Sequence, residues 1–169
     1  MPAYGLRFVG PQAGVADEFR GEAFAAHGGA VDLDEGSEFE RALTMHMLIA
    51  QGKIEEAVAL GSPRPPKWGS FQLLLACAAR RPEAEVAALA SGVQPSDDPE
   101  SNYFSAAHLS YCGRSDAARG LLRRAIDGNY CASEALDTDP LMANLRATPE
   151  YAAVKNAGRE CAARFAAQR

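Results

Sequence analysis

The chain has 169 residues, of which 47% are hydrophobic and 23% charged, and its net charge is −5. This composition is too apolar for a disordered chain, and the acidic balance with scattered arginines argues against nucleic-acid binding. No apolar run reaches the length of a bilayer span, and the N-terminus lacks the basic and apolar segments of a secretion signal. We therefore expect a cytoplasmic protein without membrane contact.

Residues 1–36 are predicted to form an irregular N-terminal segment. They contain seven glycines, and any strand in the protein is expected to fall within residues 1–12. Further along, apolar residues recur at helical spacing before a His27-Gly28-Gly29 stop signal. This spacing predicts one helix over residues 15–27.

From residue 37 onward the apolar pattern becomes regular and predicts three helical hairpins, over about 38–61, 67–91 and 98–128. Ser37 is a candidate N-cap for the first hairpin. Asp98-Pro99 begins the third as a cap followed by a first-turn proline. No strand is expected after residue 36, so the predicted fold class is all-α.

The last segment, over about 132–168, is predicted to cap the helical array. Thr148-Pro149-Glu150 repeats the cap and proline signature and starts a terminal helix. The apolar residues of that helix keep roughly heptad spacing and form one narrow seam, namely Tyr151, Val154, Cys161 and Phe165. Its other face is polar, as expected where a stack of helices ends in water.

The turns inside the three hairpins share a spacing: a leucine, a small residue four positions later, and an alanine five positions after that. These triplets are Leu48, Gly52 and Ala57; Leu75, Ala79 and Ala84; and Leu109, Gly113 and Ala118. A small turn residue allows a tight reversal, and the alanine allows the paired helices to approach closely. Ala118 is therefore expected where two helices touch.

The third hairpin carries a glycine, alanine, large apolar and alanine ladder, and its Gly113 follows Ala79 by the 34-residue tetratricopeptide period. The ladder consists of Gly113, Ala118, Leu122 and Ala125. On these residues the chain resembles the tetratricopeptide repeat (TPR) family over about 37–168. Residues 136–151 also look like the segment that closes bacterial TPR arrays. The resemblance implies a TPR-like α-solenoid of three hairpins with a C-terminal capping helix.

The resemblance further implies a non-catalytic adaptor that holds a helix or extended segment of another protein in a groove lined by the first helices of the hairpins. The groove residues implied by matched position are Phe39, His46, Ile49, Leu73, Ala76, Tyr103, Ala107, Ser110 and Tyr111. The alternative is that Phe39, Leu73 and Tyr103 belong to the core, because periodicity does not separate two packed faces of one helix. A second copy of the chain is kept as an alternative partner.

The sequence contains no recognised catalytic, nucleotide or metal motif, so no catalytic residue, metal or cofactor is expected. The four cysteines are widely spaced and lack a C-x-x-C pair, which favours small, buried helix residues. Two minority hypotheses remain. One is a small-molecule sensor in which His46 or Tyr111 makes the polar contact, and the other is a thiol enzyme that uses Cys112 with His108 as base.

Overall fold

The computed structural model describes residues 38–167, which belong to the second of two compact units, Glu38–Arg169. Every regular element in this range is helical, which confirms the all-α class for the described residues. The predicted irregular segment 1–36, its helix over 15–27 and the proposed Ser37 cap lie outside that range.

Six helices form three consecutive pairs, close to the predicted boundaries. They are α1 (Glu38–Ala50), α2 (Ile54–Gly61), α3 (Gly69–Ala78), α4 (Glu83–Gly92), α5 (Pro99–Tyr111) and α6 (Ser115–Asp127). A C-terminal segment follows, with α7 (Ser133–Thr138), a 3-10 turn (Pro140–Met142), α8 (Ala143–Arg146) and α9 (Tyr151–Ala166). Helix α1 packs on α2, α3 on α4, and α5 on α6. The three predicted hairpins are therefore present as packed pairs.

The first helix of each pair ends in the same backbone turn. The N–H of the turn residue bonds the carbonyl three residues earlier, and the next N–H bonds the carbonyl five residues earlier. The turn residue is left-handed in each case, with φ of 77° at Gly52, 53° at Arg80 and 72° at Gly113. This is the Schellman arrangement, in which glycine is usual. The predicted alignment of Ala79 with the two glycines was wrong by one position, because Arg80 is the left-handed residue.

Replacing this arginine by glycine is expected to stabilise the protein. A left-handed residue with a Cβ costs roughly 1–2 kcal/mol, whereas glycine adopts that conformation freely. The larger entropy of glycine in the unfolded chain offsets part of the gain, so Arg80→Gly should add about 0.5–1 kcal/mol to the free energy of unfolding, measured by urea denaturation. Gly113→Ala should lower it by a similar amount. A lower urea midpoint for Arg80→Gly would contradict this account of the turn.

The first helices of the three pairs converge on one core. Helix α3 lies in the middle and packs against both α1 and α5. Leu73 and Leu74 of α3 are completely buried, and Leu109 of α5 is only 1% exposed. Helix α4 is peripheral by comparison, because it buries only Val86 and packs on α3. The second pair therefore contributes mainly its first helix to the core.

The C-terminal segment closes the end of α5 with specific hydrogen bonds. The Asn144 side chain donates to the carbonyls of Ser110, at 2.9 Å, and Tyr111, at 3.2 Å, and the Leu145 N–H donates to the Ser110 hydroxyl at 3.1 Å. These carbonyls belong to the last turn of α5, where the helix itself offers few donors. The Ser110 carbonyl also accepts from the Gly113 N–H of the turn at 2.9 Å. Asn144 and Leu145 therefore attach the C-terminal segment to the end of α5. That this segment caps a TPR-like array stays a prediction.

Helix α9 differs in two details from the prediction. Thr148 is not its N-cap, because the Thr148 hydroxyl donates to the Leu145 carbonyl at 2.8 Å and the helix starts at Tyr151. Phe165, predicted as part of the seam, is 47% exposed. The buried contact instead runs through Gly158, where an added Cβ would lie 2.7 Å from Leu136. A glycine thus allows α9 to approach α7 closely.

Candidate partner-binding face

Most residues predicted to line a groove lie in the interior of the fold. Seven of them are buried, namely His46, Ile49, Leu73, Ala76, Tyr103, Ala107 and Ser110. Tyr111 is half-buried, and Phe39 is 49% exposed. The structure therefore presents Phe39 and part of Tyr111 to solvent, and it places the remaining predicted groove residues in the core.

The reason is that side chains of α1 and α5 meet directly across α3. His46 Nδ1 on α1 lies 3.0 Å from His108 Nε2 on α5, and both imidazoles contact the Phe71 ring on α3. Phe104 covers the other side of His46, with ring centroids 5.4 Å apart. The inner faces of the first helices are thus filled by this histidine cluster, which consists of His46, His108, Phe71 and Phe104.

The histidine cluster favours neutral imidazoles. Burial lowers the pKa of His46, and the negative charge of Asp139 opposes that shift in part. Burial lowers the pKa of His108 more strongly; proximity to His46 adds to the shift, and the Ser70 backbone opposes it. Within the described residues, His108 Nδ1 has no hydrogen-bond partner of normal geometry. In the hydrogen bond between the two rings one nitrogen donates and the other accepts, and the tautomers of the two imidazoles determine which is the donor.

Tyr103 has a structural position. Its ring is 5% exposed, and its hydroxyl donates to the Asp139 carboxylate at 2.7 Å. Asp139 in turn accepts from the Leu141 N–H at 2.9 Å and so caps the 3-10 turn. Burial is the main reason that the pKa of Tyr103 is raised. Tyr103 therefore attaches the C-terminal cap to α5.

A different set of apolar side chains reaches solvent. On α1, Phe39 is 49% and Met47 52% exposed, and the partly buried Leu43 lies between them at a spacing of four residues on each side. Trp68, at the start of α3, is 42% exposed and contacts Phe39 edge to face, with centroids 5.6 Å apart. We call Phe39, Leu43, Met47 and Trp68 the apolar stripe.

Two contacts connect the apolar stripe to the rest of the fold. Trp68 also contacts the buried Phe71 ring, with centroids 6.2 Å apart, so the stripe continues into the histidine cluster. Lys67 pairs with Glu38 at 2.6 Å and connects the start of α1 to the segment before α3. Because residues four apart share a face of a helix, the three α1 side chains form one row.

The apolar stripe could have been recognised from the sequence of α1, although the predicted groove included only one of its residues, Phe39. Helix α1 carries two apolar rows, one through Ala42, Met45 and Ile49, and one through Phe39, Leu43 and Met47. The structure buries the first row against the core. In the second row Phe39 and Met47 are about half exposed, and the partly buried Leu43 packs against the edge of the core. Two apolar rows on one helix indicate two contacts, and within residues 38–167 only the first row is fully buried.

The prediction of small, buried helix residues holds for Cys161 but did not include that the cysteines are paired. Cys77 is joined to Cys112, and Cys131 to Cys161, by disulfide bonds, with Cα–Cα distances of 5.7 and 5.3 Å. The first bond connects the end of α3 to the residue after α5, and the second connects the loop after α6 to α9. The 35-residue separation of Cys77 and Cys112 lies close to one repeat period, which places them side by side at the ends of neighbouring first helices.

The structure does not assemble the two minority sites. The Cys112 sulfur is bonded to Cys77, and the fully buried His108 faces His46. An open depression of about 480 Å³ lies between α6 and α9, and a smaller one of about 250 Å³ lies beside the start of α5. Neither depression includes His46 or Tyr111. Within residues 38–167 no group of three histidine, cysteine or acidic side chains is arranged to hold a metal.

Among the described helices, none has both the length and the apolar character needed to cross a bilayer. The chain matches no family model, no curated protein and no solved structure. The TPR resemblance of residues 37–168 therefore remains an expectation that rests on the residues themselves.

Proposed function

We propose that this protein is a non-catalytic adaptor of the TPR-like type and that it binds an amphipathic helix of another protein on the apolar stripe. The single observation that carries the proposal is the row on α1 in which Phe39 and Met47 are about half exposed on either side of the partly buried Leu43, with the exposed Trp68 beside it. In this proposal the binding surface is the outer face of α1, and the inner faces of the first helices serve as core.

The composition of the stripe supports protein binding. Aromatic residues and methionine are enriched in the centres of protein interfaces, and isolated exposed apolar residues are common whereas contiguous rows are less so. Three of the four side chains are between 42% and 52% exposed. The Phe39–Trp68 edge contact also restricts both rings before binding, which reduces the entropy lost when a partner docks.

The shape of the stripe favours a helix as the bound element. From Phe39 to Met47 the row extends over eight residues, which is roughly 12 Å at 1.5 Å per residue. That length matches about two turns of a second helix, whose own i, i+4 row can pack beside it. An extended peptide would use backbone hydrogen bonds at a sheet edge, and the described part of the chain has no strand to offer one.

We also propose a cytoplasmic location. The two disulfides are compatible with that location only if they can form and break reversibly there. Disulfides persist in oxidising compartments and are rare in the cytosol, except where they form and break reversibly. A cytoplasmic adaptor with the Cys77–Cys112 bond is therefore expected to exchange that bond with cellular thiols. Which of the two disulfides exchanges with cellular thiols depends on how exposed its cysteines are.

Truncating either aromatic side chain of the stripe is expected to weaken partner binding while the fold is retained. Phe39→Ala and Trp68→Ala should each weaken binding by roughly 1–3 kcal/mol, as truncation of interface anchors commonly does. Phe165→Ala is the matched control, because Phe165 is 47% exposed on α9 and lies outside the stripe. The measurement is calorimetric titration with a partner isolated by affinity purification on the intact protein, after circular dichroism of each variant.

The same experiment separates the proposal from its alternatives. If Phe165→Ala weakened binding as much as Trp68→Ala, the stripe would not be the binding surface. If sedimentation showed a dimer of the parent chain that Trp68→Ala dissociates, the occupant would be a second copy and not another protein. Unchanged binding by both stripe variants would refute the proposed site.

A further inference from the structure

We propose that the Cys77–Cys112 disulfide is a thiol-exchange site, reduced selectively by dithiol reductants while the Cys131–Cys161 disulfide stays intact. The inference rests on the different surroundings of the two bonds and is independent of the partner-binding proposal. It assigns different roles to the two disulfides: an exchangeable link between neighbouring helical pairs and a permanent link in the cap.

The two disulfides differ in access. Both sulfurs of the first bond belong to partly exposed residues at the ends of α3 and α5. In the second bond Cys131 is partly exposed in a loop, but Cys161 is completely buried on α9. Attack by an external thiolate requires access to a sulfur. Both cysteines of the first bond are partly exposed, whereas in the second bond only Cys131 is, so Cys161 is the one cysteine of the four that an external thiolate cannot approach.

The exchange is balanced as a two-electron reduction. A thiolate of the reductant attacks one sulfur of the Cys77–Cys112 bond, the S–S bond breaks, and the other cysteine leaves as a thiolate and takes up a proton. The second thiol of the reductant, after losing its proton, then attacks the mixed disulfide and releases the first cysteine. The reductant ends as a disulfide, and the protein gains two electrons and two protons.

The second bond is expected to resist reduction because its leaving group, the Cys161 thiolate, would form at a buried position. Attack at the accessible Cys131 sulfur would expel Cys161 as a thiolate at a position with 0% exposure. A buried apolar site disfavours the charged thiolate, which raises the barrier to exchange. Gly158 allows α9 to lie against the Cys131 carbonyl, where an added Cβ would come within 3.1 Å, so this contact is also closely packed. Reduction of the second bond is therefore expected to be slower than that of the first.

The location of the first bond gives its reduction a structural consequence. It fixes the end of α3 to the end of α5, at the opposite end of α3 from the contact between Phe71 and His108. Reduction leaves the histidine cluster and the leucine core as the contacts between these two helices. We expect the reduced protein to stay folded, with a lower melting midpoint and faster exchange of backbone amides near Cys77.

The test is timed reduction of the intact oxidised protein with dithiothreitol, followed by rapid alkylation and peptide mass spectrometry. Alkylation of Cys77 and Cys112 should appear at least about tenfold faster than that of Cys131 and Cys161, because the rate follows access to the sulfur and the quality of the leaving group. Oxidised glutathione should then restore the first bond. A Cys131→Ser/Cys161→Ser double variant should show the same fast phase as the parent.

Each contrary outcome would overturn the inference. Equal rates, or earlier alkylation of Cys131 and Cys161, would show that access does not control exchange. Four free thiols in the protein purified under oxidising conditions would show that the pairing itself is absent. Failure of oxidised glutathione to restore the Cys77–Cys112 bond would exclude a reversible site.

Discussion

We expect Ala118→Trp to lower the free energy of unfolding by about 1–3 kcal/mol or more, because it inserts a large side chain into a filled interface. Ala118 has 0% exposure on the face of α6 that also carries Leu122 and Ala125, both equally buried. Helix α6 packs mainly on α5, with α9 beside it. An indole there must separate the helices or force its neighbours out of their preferred rotamers.

The neighbouring alanine provides the matched control. Ala117 lies one position earlier on the same helix and is exposed, so Ala117→Trp should change the stability by less than about 0.5 kcal/mol. Ala118→Gly should cost about 1 kcal/mol from helix propensity. Urea denaturation monitored by circular dichroism measures all three variants. Similar midpoints for the two tryptophan variants would mean that α5 and α6 do not pack as described.

Local signals in the sequence placed most of the helix ends within residues 38–167. Asp98 caps α5 as predicted, accepting hydrogen bonds from the N–H groups of Glu100 and Ser101. The turn glycines Gly52 and Gly113 also take the expected left-handed conformation. These features depend on a few neighbouring residues, whose chemistry can be interpreted without knowing the rest of the fold.

The placement of whole helices against one another was harder to predict. An apolar row records that a face is covered but not which helix covers it. The sequence therefore did not reveal that His46 and His108, separated by 62 positions, form a hydrogen-bonded pair. Their meeting fills the space in which the resemblance had implied a groove. In contrast, the 35-residue separation of Cys77 and Cys112 did contain usable information, because it approximates one repeat.

The histidine cluster leads to the last prediction, that the protein loses stability as the pH falls below about 6.5. The unfolded histidines have pKa values near 6.5. In the folded protein the pKa of His46 is lowered, and that of His108 is lowered further. Below pH 6.5 the unfolded chain therefore binds protons that the folded chain does not, and protonation favours unfolding. The slope is at most about 1.4 kcal/mol per pH unit for each histidine.

Acidic groups are expected to contribute little to the change in stability between pH 7 and pH 5. Asp139 is the acidic group that acts on His46, and it reduces the shift without reversing it. The carboxyl pKa values of Asp98 and Asp137 are lowered from 3.8, by hydrogen bonds from Ser101 and Lys155 respectively, so their titration falls below the window. Measurements between pH 7 and pH 5 therefore report mainly on histidine.

A His46→Leu/His108→Leu double variant tests the assignment. It removes both hydrogen-bonding partners together, so no buried polar group is left unsatisfied, and leucine is close to histidine in volume. Urea denaturation at pH 7 and pH 5 should show a large loss of stability for the parent and a much smaller loss for the variant. His27 is present in both proteins, so its contribution cancels in the comparison. Equal losses would show that the buried pair does not take part in the acid response, and that protonation elsewhere controls it.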